Sequence, residues 1–101
     1  MYVSRLLFHT IPGKTGEVEK ELKKLCEMVR TAGGNGARVL HTHFASLGAA
    51  DAVFEQDAPD LQTLEQQIQK LTKSQDFQNW SQRMSSLLTQ SPKREVYIIN
   101  D

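Results

Sequence analysis

The chain has 101 residues, with 12 Lys and Arg against 12 Asp and Glu, so its formal net charge at pH 7 is zero. This length predicts one domain spanning residues 1–101, and the balanced charge argues against nucleic-acid or membrane partners. Cys26 is the only cysteine, which excludes an intrachain disulfide. The first ten residues lack the pattern of a signal peptide, so a cytoplasmic protein is expected.

The first two elements are a strand and an amphipathic helix. Residues 2–11 are rich in β-branched and aromatic types and predict a strand, which ends before Pro12. A helix is predicted from Thr15, a good N-cap residue, because apolar residues then recur at spacings of three and four as far as Ala32. The glycines in the following sequence GGNG end this helix.

Two more strands are predicted over residues 37–46 and 50–56, joined by a turn around Gly48. They therefore indicate a hairpin. The first of these strands carries His41 and His43 two residues apart, a spacing that places both imidazoles on the same face of a strand.

The rest of the chain predicts two helical segments and a last strand. Asp57 suits the N-cap of the first segment, whose apolar residues run from Leu61 to Leu71. Ser74 suits the N-cap of the second. The closing sequence REVYIIN, residues 94–100, is typical of a strand with apolar residues on both faces.

The element order is β-α-β-β-α-α-β, which specifies an α+β, ferredoxin-like fold: an antiparallel sheet with the helices on one face. The other face would expose apolar side chains of the first and last strands. An apolar patch of that size is unusual on a monomer, so a second subunit is expected to cover it. The sequence therefore predicts a homodimer.

At this level of detail the chain resembles the dimeric α+β barrel superfamily. The resemblance is carried by PGK after the first strand, by SQDFQNW (Ser74–Trp80) and by REVYII (Arg94–Ile99). These stretches are most similar to the NIPSNAP-like and antibiotic-biosynthesis-monooxygenase-like branches. The resemblance implies two sheets paired into a barrel with helices outside, and a ligand pocket between sheet and helices. Members include cofactor-independent oxygenases, haem-degrading enzymes and binding proteins.

The histidines are candidate catalytic residues. His41, His43 or His9 would transfer a proton, because the imidazole pKa lies near neutrality. Two alternatives stay open: the pair lines a dimer interface or polar wall, or it holds a divalent metal with a carboxylate such as Glu55 as third ligand. The resemblance implies a helix-borne histidine for haem, and all three histidines here are predicted on strands. We therefore expect neither cofactor nor metal.

Three further residues are candidates for substrate binding. Trp80 and Phe77 share the apolar stripe of the third helix and would line the pocket, although such a stripe is also typical of plain core. Arg5 interrupts the apolar first strand, so it binds a substrate anion or forms an ion pair with Glu95 on the last strand.

The sequence thus predicts a protein that binds a small organic molecule, either as a monooxygenase-type enzyme without cofactor or as a non-catalytic binding or interaction protein. It does not decide whether the protein is an enzyme.

Overall fold

The computed structural model of the protein describes residues 1–100. Its elements are β1 (Tyr2–Phe8), α1 (Thr15–Thr31), β2 (Asn35–His41), β3 (Ala52–Ala58), α2 (Leu61–Thr72), α3 (Gln75–Ser85) and β4 (Lys93–Ile98). The strands form one sheet in the order β2-β3-β1-β4, and each neighbouring pair is antiparallel. The predicted ferredoxin-like α+β arrangement is confirmed.

The predicted bounds of all four strands differ from the structure, and β4 is Lys93–Ile98 instead of residues 94–100. β1 ends at Phe8 instead of residue 11, and Thr10 forms only an isolated bridge with Leu88. β2 ends at His41 instead of residue 46, because its ladder with β3 stops at the pair His41–Ala52. β3 continues to Ala58, where it still pairs with β1.

Two of the three predicted helix caps were wrong. α1 is preceded by Lys14, whose side chain makes no capping bond, and Thr15 is already helical. Because β3 includes Asp57, the cap of α2 falls at Asp60, whose Oδ1 accepts from the amide of Thr63 at 2.7 Å. Ser74 caps α3 as predicted, by accepting from the amide of Phe77 at 3.1 Å.

The core lies between the sheet and the helices. α1 contributes five buried residues, Val18, Leu22, Leu25, Cys26 and Val29, which pack against Phe8 of β1 and Phe54 of β3. α2 contributes only Leu64, whereas α3 contributes Trp80 and Met84. Among residues 1–100, no helix is both long and apolar enough to cross a membrane.

The other face of the sheet carries no helix. Strand alternation places on it Val3, Arg5 and Leu7 of β1, together with their cross-strand partners on β3 and β4. Every residue of β4 is exposed, and the apolar Val96 and Ile98 are 42% and 65% exposed although they lie on the helix side. The helices therefore leave β4 uncovered on both faces. We call the helix-free face, with its residues from all four strands, the open face.

Candidate functional site

A small cavity lies between the sheet and the helices. Its walls come from β1, β3 and β4 on one side and from all three helices on the other, and its volume is about 40 Å³. A water molecule needs roughly 10–15 Å³ of such space, so there is room for a few waters but not for an organic ring. Eight wall residues are apolar or alanine, including Leu25, Phe54, Leu71 and Phe77.

Two glutamines of this wall each carry a buried side-chain oxygen that has no hydrogen-bond partner among residues 1–100. The Nε2 of Gln67 donates to the carbonyl of Gly33 at 3.2 Å, so the oxygen Oε1 is the part of this amide that has no partner. That oxygen and Oε1 of Gln56 are buried without a hydrogen-bond partner in the part of the chain that is described. An unpaired buried acceptor costs about 1–3 kcal/mol. A donor on a bound molecule would remove part of this cost.

Arg94 of β4 brings a positive charge to the same cavity. Its Nη1 donates to the Oγ of Ser4 at 2.6 Å, and Ser4 is only 1% exposed. No carboxylate within residues 1–100 forms an ion pair with Arg94. Although the residue is exposed overall, loss of water around the guanidinium lowers its pKa. An arginine remains protonated at neutral pH nonetheless. The guanidinium therefore keeps unused donors beside an apolar wall.

The structure separates the three predicted substrate-binding residues. Phe77 lines the cavity, and Trp80 lies behind it with the two ring centroids 5.5 Å apart. Trp80 is 4% exposed and donates from Nε1 to the carbonyl of Glu21 at 2.7 Å, so its indole is held in the core. Only Phe77 is placed to touch a molecule in the cavity.

Arg5 lies on the open face, on the opposite side of the sheet from the cavity. The prediction that Glu95 would be its ion-pair partner was wrong. Glu95 is opposite Arg5 in the register, but its Oε1 accepts from the hydroxyl of Tyr97 at 2.5 Å. Arg5 instead donates from Nε to Glu55 at 2.5 Å, and its guanidinium carbon lies 5.1 Å from the centroid of the Tyr97 ring.

The three histidines lie in different places and do not form one site. His41 lies at the edge of the sheet, where its Nδ1 is 2.6 Å from the carboxylate of Glu19 on α1 and its side chain is 67% exposed. His43 lies beyond the end of β2, so the expected strand pair does not form, and its ring packs against Phe44. His9 bonds to the carbonyl of Gly48 and to the side chain of Gln90.

The cavity wall, within residues 1–100, contains no histidine, cysteine or carboxylate. Arg94 is its one titratable residue, so the cavity offers charge stabilisation and no side chain that would act as a general base at neutral pH. Glu55, the third ligand in the alternative of a metal site, lies on the opposite face from His41. No group of three or more His, Cys, Asp or Glu within residues 1–100 is arranged to hold a metal ion.

Sequence reasoning missed Arg94, Gln56 and Gln67. Two of them could have been identified from the alternation of side chains along a strand. Arg94 shares a face with Val96, and Gln56 shares a face with Phe54. Each is a polar residue on the side of its strand that faces the helices. Gln67 carried no such signal, since a glutamine is ordinary on a half-exposed helix.

Three solved structures share this architecture. A NIPSNAP domain protein from Burkholderia xenovorans is 17% identical with a TM-score of 0.75, over 99% of this chain and 95% of that chain. A NIPSNAP family protein from Agrobacterium tumefaciens is 18% identical with a TM-score of 0.75, over 99% of this chain and 93% of that chain. An antibiotic biosynthesis monooxygenase is 14% identical with a TM-score of 0.68, over 100% of both chains.

The chain has the ferredoxin-like fold of the NIPSNAP and antibiotic biosynthesis monooxygenase structures. The resemblance carried by PGK, SQDFQNW and REVYII is thereby confirmed for the fold. No protein-family model and no curated protein matches the chain. At these identities the likeness concerns the fold alone, and function has to be argued from the site.

Proposed function

We propose that the protein binds a small organic anion with a largely apolar body in the cavity between sheet and helices. One observation carries this proposal: the guanidinium of Arg94 lines an otherwise apolar wall, and among residues 1–100 its side-chain partner is the neutral hydroxyl of Ser4. A charged donor without an acid partner favours an anionic ligand, because a charge-assisted bond is about twice as strong as a neutral one.

The cavity must widen to admit such a ligand. At about 40 Å³ it is smaller than the roughly 300–1,000 Å³ of ordinary ligand pockets. α2 is the wall that moves most easily, because it contributes only Leu64 to the buried core, whereas α1 contributes five residues. Outward movement of α2 would carry Ile68 and Leu71 away from the sheet. Phe77 would then contact the ligand body, with Trp80 supporting it from behind.

The two unpaired amide oxygens refine the ligand chemistry. Gln56 and Gln67 both belong to the wall, and each has a buried Oε1 that accepts nothing within residues 1–100. A hydroxyl or N–H group on the ligand, placed away from its anionic end, would satisfy one of these oxygens. We therefore expect hydroxylated aromatic acids to bind more tightly than the acids that lack the hydroxyl group.

In the enzyme version of this proposal, the protein is a monooxygenase-type enzyme that uses no cofactor. This version is supported by the structure of the same fold that is described as an antibiotic biosynthesis monooxygenase. A monooxygenase without a cofactor takes all four electrons that reduce O2 from the substrate, so that one oxygen atom enters the product and the other leaves as water. The substrate must therefore be an electron-rich anion such as a phenolate or enolate. Arg94 would hold such a substrate through a carboxylate, at the end opposite the phenolate or enolate. None of the histidines lines the cavity, so we assign them no step.

The alternative is a non-catalytic binding or interaction protein, and the open face is the feature that favours it. That face and both sides of β4 carry exposed apolar residues, including Leu40 at 37% and Tyr97 at 44% exposure. Proteins of this fold family are typically dimeric. We propose a homodimer that covers these residues, in the enzyme and the binding version alike.

Calorimetry with two isosteric probes tests the ligand proposal. We expect 2-naphthoate to bind the wild-type protein more tightly than the neutral 2-naphthamide, because only the carboxylate pairs with Arg94. Arg94→Gln should weaken 2-naphthoate binding about 10-fold or more and leave 2-naphthamide binding unchanged, as expected for loss of one charge-assisted bond. The matched control is Arg83→Gln, which removes an exposed guanidinium from α3 outside the cavity.

Absence of binding by both probes at millimolar concentration would overturn the proposal. Equal affinity of the two probes, or equal weakening in Arg94→Gln and Arg83→Gln, would refute the role of Arg94. Oxygen uptake with 6-hydroxy-2-naphthoate separates the two versions of the function: consumption above the protein-free rate supports the enzyme, and no consumption despite binding supports the binding protein.

A further inference from the structure

Two glutamines of the cavity wall lie at the C-terminal end of α1. Gln56 of β3 is 4% exposed, and its Oε1 lies 3.2 Å from the position that a Cβ on Gly34 would occupy. Gln67 of α2 donates from Nε2 to the carbonyl of Gly33 at 3.2 Å. Both side chains therefore lie beside the same pair of glycines, although they come from different elements. We call Gln56 and Gln67 the glutamine pair.

The glutamine pair offers two acceptors that the chain itself does not use. Both Oε1 atoms are buried, and neither has a hydrogen-bond partner among residues 1–100. The amides of Gly33 and Gly34 already bond to carbonyls of α1, and the hydroxyl of Thr72 in the same wall donates to the carbonyl of Gln69. A bound molecule with two donors would therefore satisfy both oxygens.

The surroundings of the glutamine pair favour a donor without a formal charge. α1 ends at Thr31, and the C-terminal end of a helix carries a partial negative charge that attracts polarised N–H groups. Within residues 1–100, however, the cavity wall contains no carboxylate, so a buried ammonium group would have no counter-charge. A primary aromatic amine is neutral at pH 7 and has two N–H donors, whereas a hydroxyl group has one.

We infer that the ligand of the cavity is an aromatic acid with a primary amino group on its ring, whose two N–H groups donate to the Oε1 atoms of Gln56 and Gln67 while its carboxylate pairs with Arg94. This inference rests on the ligand proposed above and specifies its second polar group. The bond from Gln67 to Gly33 ties α2 to the end of α1, so the glutamine pair stays in place when the rest of α2 moves outward.

Calorimetry with acids that differ only in their number of donors tests the amino group. The 6-methyl, 6-hydroxy and 6-amino derivatives of 2-naphthoate have substituents of similar size with no, one and two donors. We expect the hydroxy acid to bind the wild-type protein about 10-fold more tightly than the methyl acid, and the amino acid about 10-fold more tightly again, because each donor satisfies one buried acceptor. The same substituents at ring position 7 cover a second direction of approach.

Substitution of the glutamines tests which atoms accept these bonds. Methionine matches glutamine in length and has no amide oxygen, so Gln56→Met and Gln67→Met should fold and should be at least as stable as wild type. Each variant keeps one acceptor, so the amino and hydroxy acids should bind it equally tightly. Both acids should still bind more tightly than the methyl acid. In the double variant all three acids should bind equally.

Gln66→Met is the matched control, because Gln66 is an exposed residue of α2 outside the cavity wall. This variant should keep the wild-type order of the three acids. If Gln56→Met is unfolded by circular dichroism, Gln67→Met still tests the inference, since its side chain is only partly buried. Tighter binding of the amino acid than of the hydroxy acid in Gln67→Met would refute the role of the glutamine pair.

The failure of this inference differs from the failure of the proposed function. Equal binding of the methyl and amino acids by the wild-type protein at both ring positions, with weaker binding in Arg94→Gln, would refute the amino group and leave the anion site intact. Tighter binding of 6-methoxy-2-naphthoate, which only accepts, than of the amino acid would refute it as well. Absence of binding by every one of these acids would overturn the anion site and the amino group together.

Discussion

Replacing Glu55 with glutamine tests how much its deeply buried carboxylate contributes to the stability of the sheet. In the native protein the carboxylate accepts from Arg5 Nε at 2.5 Å and from Arg38 Nε at 2.8 Å, and it is also bonded to Arg38 Nη2. Glutamine has the same shape but only one acceptor oxygen and no charge. It therefore removes the bond to at least one guanidinium, although Arg38 keeps its bonds to Asp57.

The expected loss of stability in Glu55→Gln follows from these contacts. A hydrogen bond to a charged group contributes about 1.5–3 kcal/mol, and the half-exposed arginines reduce that value because water screens them. Glu55→Gln should therefore lower the free energy of unfolding by about 2 kcal/mol. For a domain of this size, 1 kcal/mol corresponds to about 4–8 °C, so the melting temperature should fall by roughly 8–16 °C.

Urea unfolding, monitored by the fluorescence of Trp80, the only tryptophan, measures this loss of stability. Protein concentration must be held constant, because association contributes to apparent stability. The matched control is Glu95→Gln, since Glu95 pairs with the same Arg5 in the register but accepts from Tyr97 instead. A loss at Glu55 no larger than that at Glu95 would refute the view that Glu55 anchors both arginines.

Three further outcomes are expected. Ser74→Ala removes the N-cap of α3 and should lower the free energy of unfolding, measured in urea, by about 1 kcal/mol. Ser85→Ala, near the other end of the helix, should lower it little. Equal decreases would contradict the capping role of Ser74. Burial alone would raise the pKa of Glu21, but bonds from Lys24 and Arg83 lower it below 4.5. The ionised form of Glu21 thus stabilises the fold above pH 4.5. The decrease in the free energy of unfolding caused by Glu21→Gln should therefore be full at pH 7 and become smaller as the pH falls below 4.5. A decrease that became larger in acid would contradict this reasoning. Leu25→Ala, at a residue 1% exposed in the cavity wall, should cost about 3–5 kcal/mol and strengthen 2-naphthamide binding by enlarging the cavity; an unchanged affinity would show that this probe binds elsewhere.

The fold was largely predictable because its signals are local and repeated. The three-and-four spacing from Val18 to Val29 identified α1 and its buried face, and Ser74 identified the start of α3. The ends of β2 and β3 were not predictable, because they are set by pairing between strands. Asn35 enters the ladder through an irregular register with Gly36 at φ +65°, and the ladder stops at His41.

The site was less predictable than the fold. His41 and His43 stood out in the sequence because two histidines two apart suggest shared chemistry, yet the end of β2 separates them. Arg5 was identified as a residue in need of an acid, but two carboxylates, Glu55 and Glu95, pair with it in the register. Only the side-chain geometry selects between them. The cavity itself depends on how α2 packs, which no local pattern specifies.

The most direct test of ligand binding in the cavity is an NMR titration of the wild-type protein with 2-naphthoate. We expect the largest chemical-shift changes at the side-chain amides of Gln56 and Gln67, at the Nε–H of Arg94, and along Leu61–Thr72 as α2 moves outward. Shifts confined to the open face or to the surface groove beside Trp80 and Pro92 would contradict binding in the cavity. Unchanged spectra at millimolar 2-naphthoate would contradict it equally.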